Sequence, residues 1–419
     1  MLHLNNHVSR YHYALTLVLG VFAVVLLPAL LQLAWGWWVP SGTLDAQTVS
    51  LSVNLIALVT SSLILHQFQQ YPQKNALSYL MPTTFATFAV LIGLVWLLRL
   101  PYGVKLILFG LMGTLVFLGA QYVILRRHLS ITLLTIPLGG CHSLANSAGI
   151  TFIPLHKPSL PRTHFSGIVV DLHSRALTDD WERFLAQCTL AKIPVYNLLQ
   201  VNERLSGRVA VQHLAENDFG DLAPSTFRQA LKWLLDTVFI LLISPLLLPI
   251  IAVIALCIKR ESPGGAFFIQ ERMGLGGRIF KMVKFRSMFI DRPGSHFTED
   301  GECHRVTRVG AVIRKYRLDE LPQFWNVLRG EMSLIGPRPE SLALAKWYQE
   351  DVPFFAYRHV VRPGISGWAQ VMHGYAAEVD GMKEKLSYDF YYIKHFSFWL
   401  DLLIWYKTIR TVLTGFGAR

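Results

Sequence analysis

Acidic residues are nearly missing from the first third of this 419-residue chain: between Met1 and His128 there is one, Asp45. That absence, with very long apolar runs, excludes an ordinary solvated surface there. Cysteine is scarce as well. Cys141, Cys188, Cys257 and Cys303 form no CxxC pair, and Cys141-His142 and Cys303-His304 lack partners at metal-ligand spacing. A disulfide framework and a zinc site are both excluded in favour of free thiols. GxGxxG is absent, so the usual dinucleotide fingerprint is missing. No basic run interleaves with aromatics, which argues against nucleic acid despite a formal net charge of +12. An anionic membrane surface and anionic substrates are the partners left for that charge. No small-x-small cleavage site follows the first apolar segment, which reads as retained in the membrane.

What is present begins with four segments of membrane-crossing length, about residues 13–39, 48–65, 79–98 and 102–125. The second is the weakest, with Asn54 and a Thr-Ser-Ser run inside it. Arg10, Lys74 and Arg126-Arg127 put both ends of the bundle in the cytoplasm, against Arg99 and Lys105. Trp35, Trp37 and Trp38 then fall at the far interface. Residues 129–221 read as a small Rossmann-like α/β module. "ITLLTIPL", "ITFIPL", "GIVVDL" and "IPVYNLL" are its strands, and "TDDWERFLAQCTLAK" is a helix capped by Thr178 or Asp179. Gly139-Gly140 follows the first strand, but a structural or regulatory role suits this module better than nucleotide binding.

Residues 222–419 form the third expected domain. It opens on a second hydrophobic stretch, about 231–258, with Arg228 and Lys232 before it and Lys259-Arg260 after it. Cations at both ends favour one side of the membrane for both. Ser244-Pro245 and Pro249 break the middle, which predicts a kinked hairpin that dips in and returns. Ser244 is placed to bond a carbonyl freed by that break. A kinked spanning helix is the alternative. The tail, residues 396–415, carries an apolar stripe with Asp401, Lys407 and Arg410 away from it. It reads as an interfacial helix or one packed on its own domain.

Four strings carry the chemistry. In "VKFRSM", alternation puts Lys284 and Arg286 on one face, a pair that an anion between them would stabilise. In "IRKYRLDELPQFWNVL", Asp319 and Glu320 open a helix amid Arg314, Lys315 and Arg317. Capping is the bland reading. A nucleophile and a magnesium ligand are the alternative. In "SLIGPRPE", Pro337 and Pro339 fix the backbone around Arg338, whose fork suits phosphate or a structural carboxylate. In "RPGISGWAQV", Arg362, Trp368 and Gln370 follow a tight turn, and core packing competes with ligand stacking for the indole.

These strings in this order resemble the bacterial sugar transferases, the monotopic phosphoglycosyl transferases, over nearly half the chain. The four-helix N-terminus followed by an α/β module resembles their long form. The resemblance implies a membrane α-helical bundle, a Rossmann-like module and a mainly α catalytic domain with a re-entrant helix. It implies transfer of a hexose-1-phosphate, glucose or galactose, from a UDP-sugar to undecaprenyl phosphate with release of UMP. The site would face the cytoplasm at the bacterial inner membrane and start exopolysaccharide, capsule or O-antigen synthesis. It implies Asp319 as nucleophile, Glu320 as Mg²⁺ ligand and Arg338 as phosphate grip. Lys284 and Arg286 would lie near the diphosphate. Arg317 and Arg362 are further candidate substrate contacts from the reading of their own strings, the one beside the acidic pair and the other at the tight turn. Ser244 and Pro245 would mark the break of the re-entrant helix. The N-terminal bundle could pair two subunits. Two other readings are a membrane glycosyltransferase releasing UDP and a non-catalytic scaffold.

Overall fold

A computed structural model describes residues 15–26, 44–72, 77–128, 131–143, 150–172, 174–209, 223–290, 305–372 and 379–414. Arg10, Lys74, the three interface tryptophans, Cys303 and His304 lie outside these residues. The chain divides into two compact units, Met1–Ser206 and Gly207–Arg419, taken in turn.

The first unit opens with α1 (Leu15–Leu26), whose last five residues are π-wound. The rest of the first expected segment, beyond Leu26, lies outside the described residues. The unit continues with α2 (Leu44–Phe68), α3 (Leu77–Leu97) and α4 (Val104–His128). The last three are long and apolar enough to cross a membrane. Val53, Ala57, Phe88, Val95 and Ile107 form their shared core. The polar residues that made the second segment look weak turn inward. Asn54 Nδ2 donates to the Leu106 carbonyl at 3.0 Å, and the Ser61 and Thr87 hydroxyls meet at 2.7 Å. Partners supplied by neighbouring helices let such groups sit where no water reaches.

The α/β part has β1 (Ile131–Thr135), β2 (Ile150–Pro154), β3 (Gly167–Val170), α5 (Asp179–Leu190), β4 (Val195–Asn197) and α6 (Leu198–Ser206). All four strands are parallel, in the order β2-β1-β3-β4. Thr178 is the N-cap of α5, without a side-chain cap bond. Ligands in such sheets bind at the carboxyl ends of the strands where the order reverses, here between β1 and β3. Gly139 and Gly140 lie there, and Asp171 from the end of β3 already accepts the Gly140 N–H at 3.1 Å. That carboxylate faces the backbone donor a phosphate would need.

The second unit begins with α7 (Thr226–Glu261), a 36-residue helix that continues through Pro245 and Pro249, where the sequence predicts a break. Pro245 has no N–H for the Leu241 carbonyl, and Ser244 Oγ donates to that carbonyl at 2.8 Å. β5 (Phe267–Met273) and β6 (Ile279–Phe285) form an antiparallel hairpin. After α8 (Arg308–Lys315), a 3-10 turn (Leu318–Gln323) runs into α9 (Phe324–Leu328). β7 (Ser333–Ile335) pairs in parallel with β8 (Gly364–Ser366). Their approach is so close that a Cβ on Gly364 would stand 2.0 Å from the Gly336 nitrogen. α10 (Leu342–Asp351), α11 (Trp368–Met372), α12 (Val379–Lys394) and α13 (Phe398–Thr414) complete the unit.

The tail helix differs from its sequence reading. Leu400, Leu403 and Ile404 are buried as the stripe requires. Asp401, expected away from the packed face, is also drawn in, accepting from Lys232 on α7 at 2.7 Å and from Tyr392 at 2.9 Å. Lys407 lies over the Trp368 ring at 5.3 Å. The helix packs on its own unit with polar as well as apolar residues, because α7 supplies a buried cation.

Candidate active site

Three segments meet around Glu320. β6 carries Lys284 near its end. The 3-10 turn carries Asp319 and Glu320, and it starts from Arg317 in a left-handed conformation (φ 54°). That conformation is strained for a non-glycine residue. The loop after β7 carries Arg338. Asn326, fully buried at the start of α9, fastens turn to strand. Its Oδ1 accepts the Val283 N–H at 3.1 Å, and its Nδ2 donates to the Lys281 carbonyl at 2.8 Å.

Arg338 Nη2 lies 2.9 Å from Glu320 Oε1, with Lys284 Nζ at 4.0 Å from the same oxygen. Burial alone would raise Glu320, but Arg338 and Lys284 outweigh it and hold the carboxyl down to about 2. Asp319 goes the other way. Burial and the neighbouring Glu320 charge push it up to about 6, only partly offset by Lys284, Arg338 and Arg314. Burial and Arg338 lower Lys284 to about 8. Among the described residues no cation comes within ion-pair distance of Asp319, since both close cations face Glu320. The site therefore holds one satisfied carboxylate and one that is partly buried, unpaired and poised near neutral pH.

A cavity of about 180 Å³ opens beside Glu320, lined by Arg317, Leu321, Phe324, Ile365, Gln370 and residues of α13. Its walls are mostly apolar.

Of the residues singled out from the sequence, the fold brings Lys284, Arg317, Asp319, Glu320 and Arg338 together. Arg286 and Arg362 face elsewhere. Strand β6 ends at Phe285, so alternation no longer directs Arg286. Its guanidinium instead donates to the Pro263 and Ser262 carbonyls and to Ser262 Oγ, closing the end of α7. Gly264 is required beneath it: its φ is +107°, and a Cβ there would meet Arg286 Nη1 at 2.6 Å. Arg362 donates to the Gly330 and Gln229 carbonyls. Trp368 is 1% exposed and bonds the Gly207 carbonyl, a core residue. Sequence reasoning passed over Asn326, Glu340, Arg358, Lys385 and Asp389. Only Glu340, directly after Pro-Arg-Pro, had a position that could have flagged it.

Residues 227–415 match the family described as Bacterial sugar transferase. A UDP-N-acetylgalactosamine-undecaprenyl-phosphate N-acetylgalactosaminephosphotransferase of Aeromonas hydrophila is 44% identical over 403 residues, 96% of this chain and 95% of that protein. The chain belongs to the bacterial sugar transferase family. A UDP-glucose:undecaprenyl-phosphate glucose-1-phosphate transferase of Caulobacter vibrioides is 43% identical over 191 residues, 45% of this transferase and 71% of the relative. The Escherichia coli protein of the same name is 40% identical over 195 residues, 45% of this chain and 41% of the relative. Membership makes this transferase an enzyme, and its matched region contains every residue of the cluster around Glu320.

Proposed function

We propose that this transferase moves a sugar-1-phosphate from a UDP-sugar to undecaprenyl phosphate through a covalent intermediate on Asp319. The observation that carries the reading is the contrast between the two adjacent carboxylates. Glu320 takes the cations, while Asp319 is raised to about 6 and has no ion pair among the described residues. In the first half-reaction a carboxylate oxygen of Asp319 attacks the phosphorus bearing the sugar, and the bond from that phosphorus to the bridging oxygen breaks. UMP leaves with that oxygen and its electron pair. In the second, an oxygen of undecaprenyl phosphate attacks the same phosphorus and Asp319 departs as carboxylate. In this reading Arg338 and Lys284, both beside Glu320, neutralise charge moving onto the leaving phosphate. A relay of this kind lets two bulky substrates use one site in turn.

The donor set suits a divalent cation. Among the described residues no three His, Cys, Asp or Glu side chains cluster as a closed metal site. Two neighbouring carboxylates, one raised by burial and by the other's charge, are what a hard cation uses when substrate phosphates and water complete its shell. Glu320 would hold Mg²⁺, with Asp319 beside it. When bound, the ion would supply further charge neutralisation at the diphosphate.

We propose α7 as a re-entrant membrane helix. Trp233 donates to the Val327 carbonyl and Asp236 accepts from Ser333 and the Leu334 N–H. At the other end Glu261 accepts the Arg308 and Val309 N–H groups. Both ends thus dock on one globular unit. Leu241, Leu242, Leu246 and Leu248 around the prolines stay exposed, for lipid to cover. In this reading the site faces the cytoplasm at the inner membrane, where a lipid phosphate meets a fixed catalytic group. The three-domain division at about 128 and 221 belongs to the same proposal, as does pairing of subunits through the N-terminal bundle.

The relative aligned over nearly its full length is named for UDP-N-acetylgalactosamine, which makes that sugar nucleotide our first donor, ahead of UDP-glucose and UDP-galactose. The test is nucleotide release by the purified transferase in nanodiscs, with Mg²⁺ and each donor, with and without undecaprenyl phosphate. Lipid-dependent UMP from UDP-N-acetylgalactosamine is the expected result. UDP would move the protein to ordinary glycosyl transfer, and release from UDP-glucose alone would overturn the donor assignment.

A further inference from the structure

We infer that the buried quartet Glu340, Arg358, Lys385 and Asp389 is a positioning device for Arg338, acting through the main chain of the Gly-Pro-Arg-Pro-Glu loop. The inference rests on the role given to Arg338 above. The loop is held at nearly every carbonyl. Ile335 O accepts from Tyr392 Oη at 3.1 Å and Pro337 O from the Gly364 N–H at 2.9 Å. Arg338 O accepts from Arg358 Nη2 at 2.8 Å and Pro339 O from Arg272 Nη1 at 3.0 Å. Two prolines fix φ on either side of Arg338. The backbone of one residue is thereby clamped from several elements.

The clamp at Arg338 itself is ionic and dry. Arg358 is 2% exposed, lies 2.8 Å from Asp389 Oδ2 and reaches Glu340 at 3.4 Å. Lys385 donates to the same Glu340 oxygen. Burial would raise Glu340, but Lys385 and Arg358 outweigh it and hold it at about 2. Lys385, Asp389 and Tyr392 fall at i, i+4 and i+7 on α12, so one helix face serves the loop from Ile335 to Glu340.

Stability alone does not call for four buried charges, because well-packed apolar residues do as well or better in such places. A fixed main chain matters more at Arg338. Among the described residues its side chain makes one bond, to Glu320, and it is 30% exposed, so its aim depends on where its Cα is held. A guanidinium that must meet a phosphate in the transition state tolerates little displacement.

The test is a double-mutant cycle on UMP release by the full chain in nanodiscs. Asp389→Asn and Lys385→Met are each made in the wild type and in Arg338→Lys. A positioning role predicts that each lowers kcat by about 10- to 100-fold in the wild type. The UDP-sugar KM should change less than about 3-fold, because the contact matters most in the transition state. In Arg338→Lys the further loss should shrink below about 3-fold, because the misplaced group is already compromised. Equal fold losses in both backgrounds, or an unchanged kcat in the wild type, would overturn the inference while leaving Arg338 its role. An Arg338→Lys enzyme as fast as wild type would overturn both. Melting temperatures separate misfolding from misplacement. Tyr392→Phe, which removes one hydroxyl at the far end of the loop, supplies the cycle if a charge variant does not fold.

Discussion

Two clusters of two acids and two cations share the loop that carries Arg338, and they are solved differently. Around Glu340 and Asp389 each acid has a cation: Lys385 and Arg358 on the first, Arg358 on the second. Around Asp319 and Glu320 both cations face one acid, and the other is left over. The residue types are the same. The difference is that the inner cluster is closed by geometry, whereas the outer one keeps an unbalanced carboxylate in a half-buried place. Burial raises Asp389 as it raises Asp319, so among the described residues it is the missing ion pair, not the shift, that sets the outer cluster apart.

The contrast is broken most sharply by Asp319→Asn. The change is nearly isosteric and removes the unpaired charge. It should cost at least about 10³-fold in kcat with little change in melting temperature, measured as UMP release and thermal unfolding in nanodiscs. A variant that still turned over near the wild-type rate would remove Asp319 from the nucleophile's role.

Glu320→Gln should act on the metal rather than abolish folding. The Mg²⁺ concentration for half-maximal rate should rise about tenfold, read from a metal titration after chelation with EDTA. An unshifted titration would leave Glu320 as a partner of Arg338 only.

The inner cluster should answer to pH through stability. Burial and Arg358 lower His359 from 6.5 to about 3. Its contribution is present above pH 6.5 and is lost as pH falls from there towards 3, at up to about 1.4 kcal/mol per pH unit. Glu340, lowered from 4.5 to about 2, adds a second loss as pH falls from about 4.5 towards 2. Asp319, raised to about 6, and Asp389, also raised, gain stability as pH falls and oppose this loss. The His359 contribution is therefore read as a difference: between pH 6.5 and 4.5 the melting temperature of the wild type should fall relative to that of His359→Gln. A difference between the two proteins that stayed constant down to pH 5 would contradict the buried neutral imidazole.

Much of the site was legible because its residues lie in short strings whose local chemistry is self-contained. Pro337 and Pro339 announce a rigid arginine. Asp319 and Glu320 sit in a cation-rich stretch. Arg286 and Arg362 were cations in the right strings, yet they bond backbone carbonyls at the end of α7 and beside β7. Alternation along a strand predicts a face only while the strand lasts, and β6 stops one residue before Arg286. Asp401 read as a solvent-facing charge because helical periodicity sorts residues by polarity, without knowing that Lys232 waits on another helix.

Sequence by itself determined the apolar helices, the α/β strands, the long apolar stretch that carries two prolines and the strings that mark the family. Each of these is written in residues close together, where periodicity, ring constraint or run length acts locally. Tertiary structure alone decided which cations meet Glu320, that Asp319 is left unpaired, and that Arg358, Lys385 and Asp389 stand behind Arg338. Those residues are tens of positions apart. An ion pair in a dry interior depends on distances of an ångström or two, and only the folded packing of α12, the 3-10 turn and the hairpin sets them.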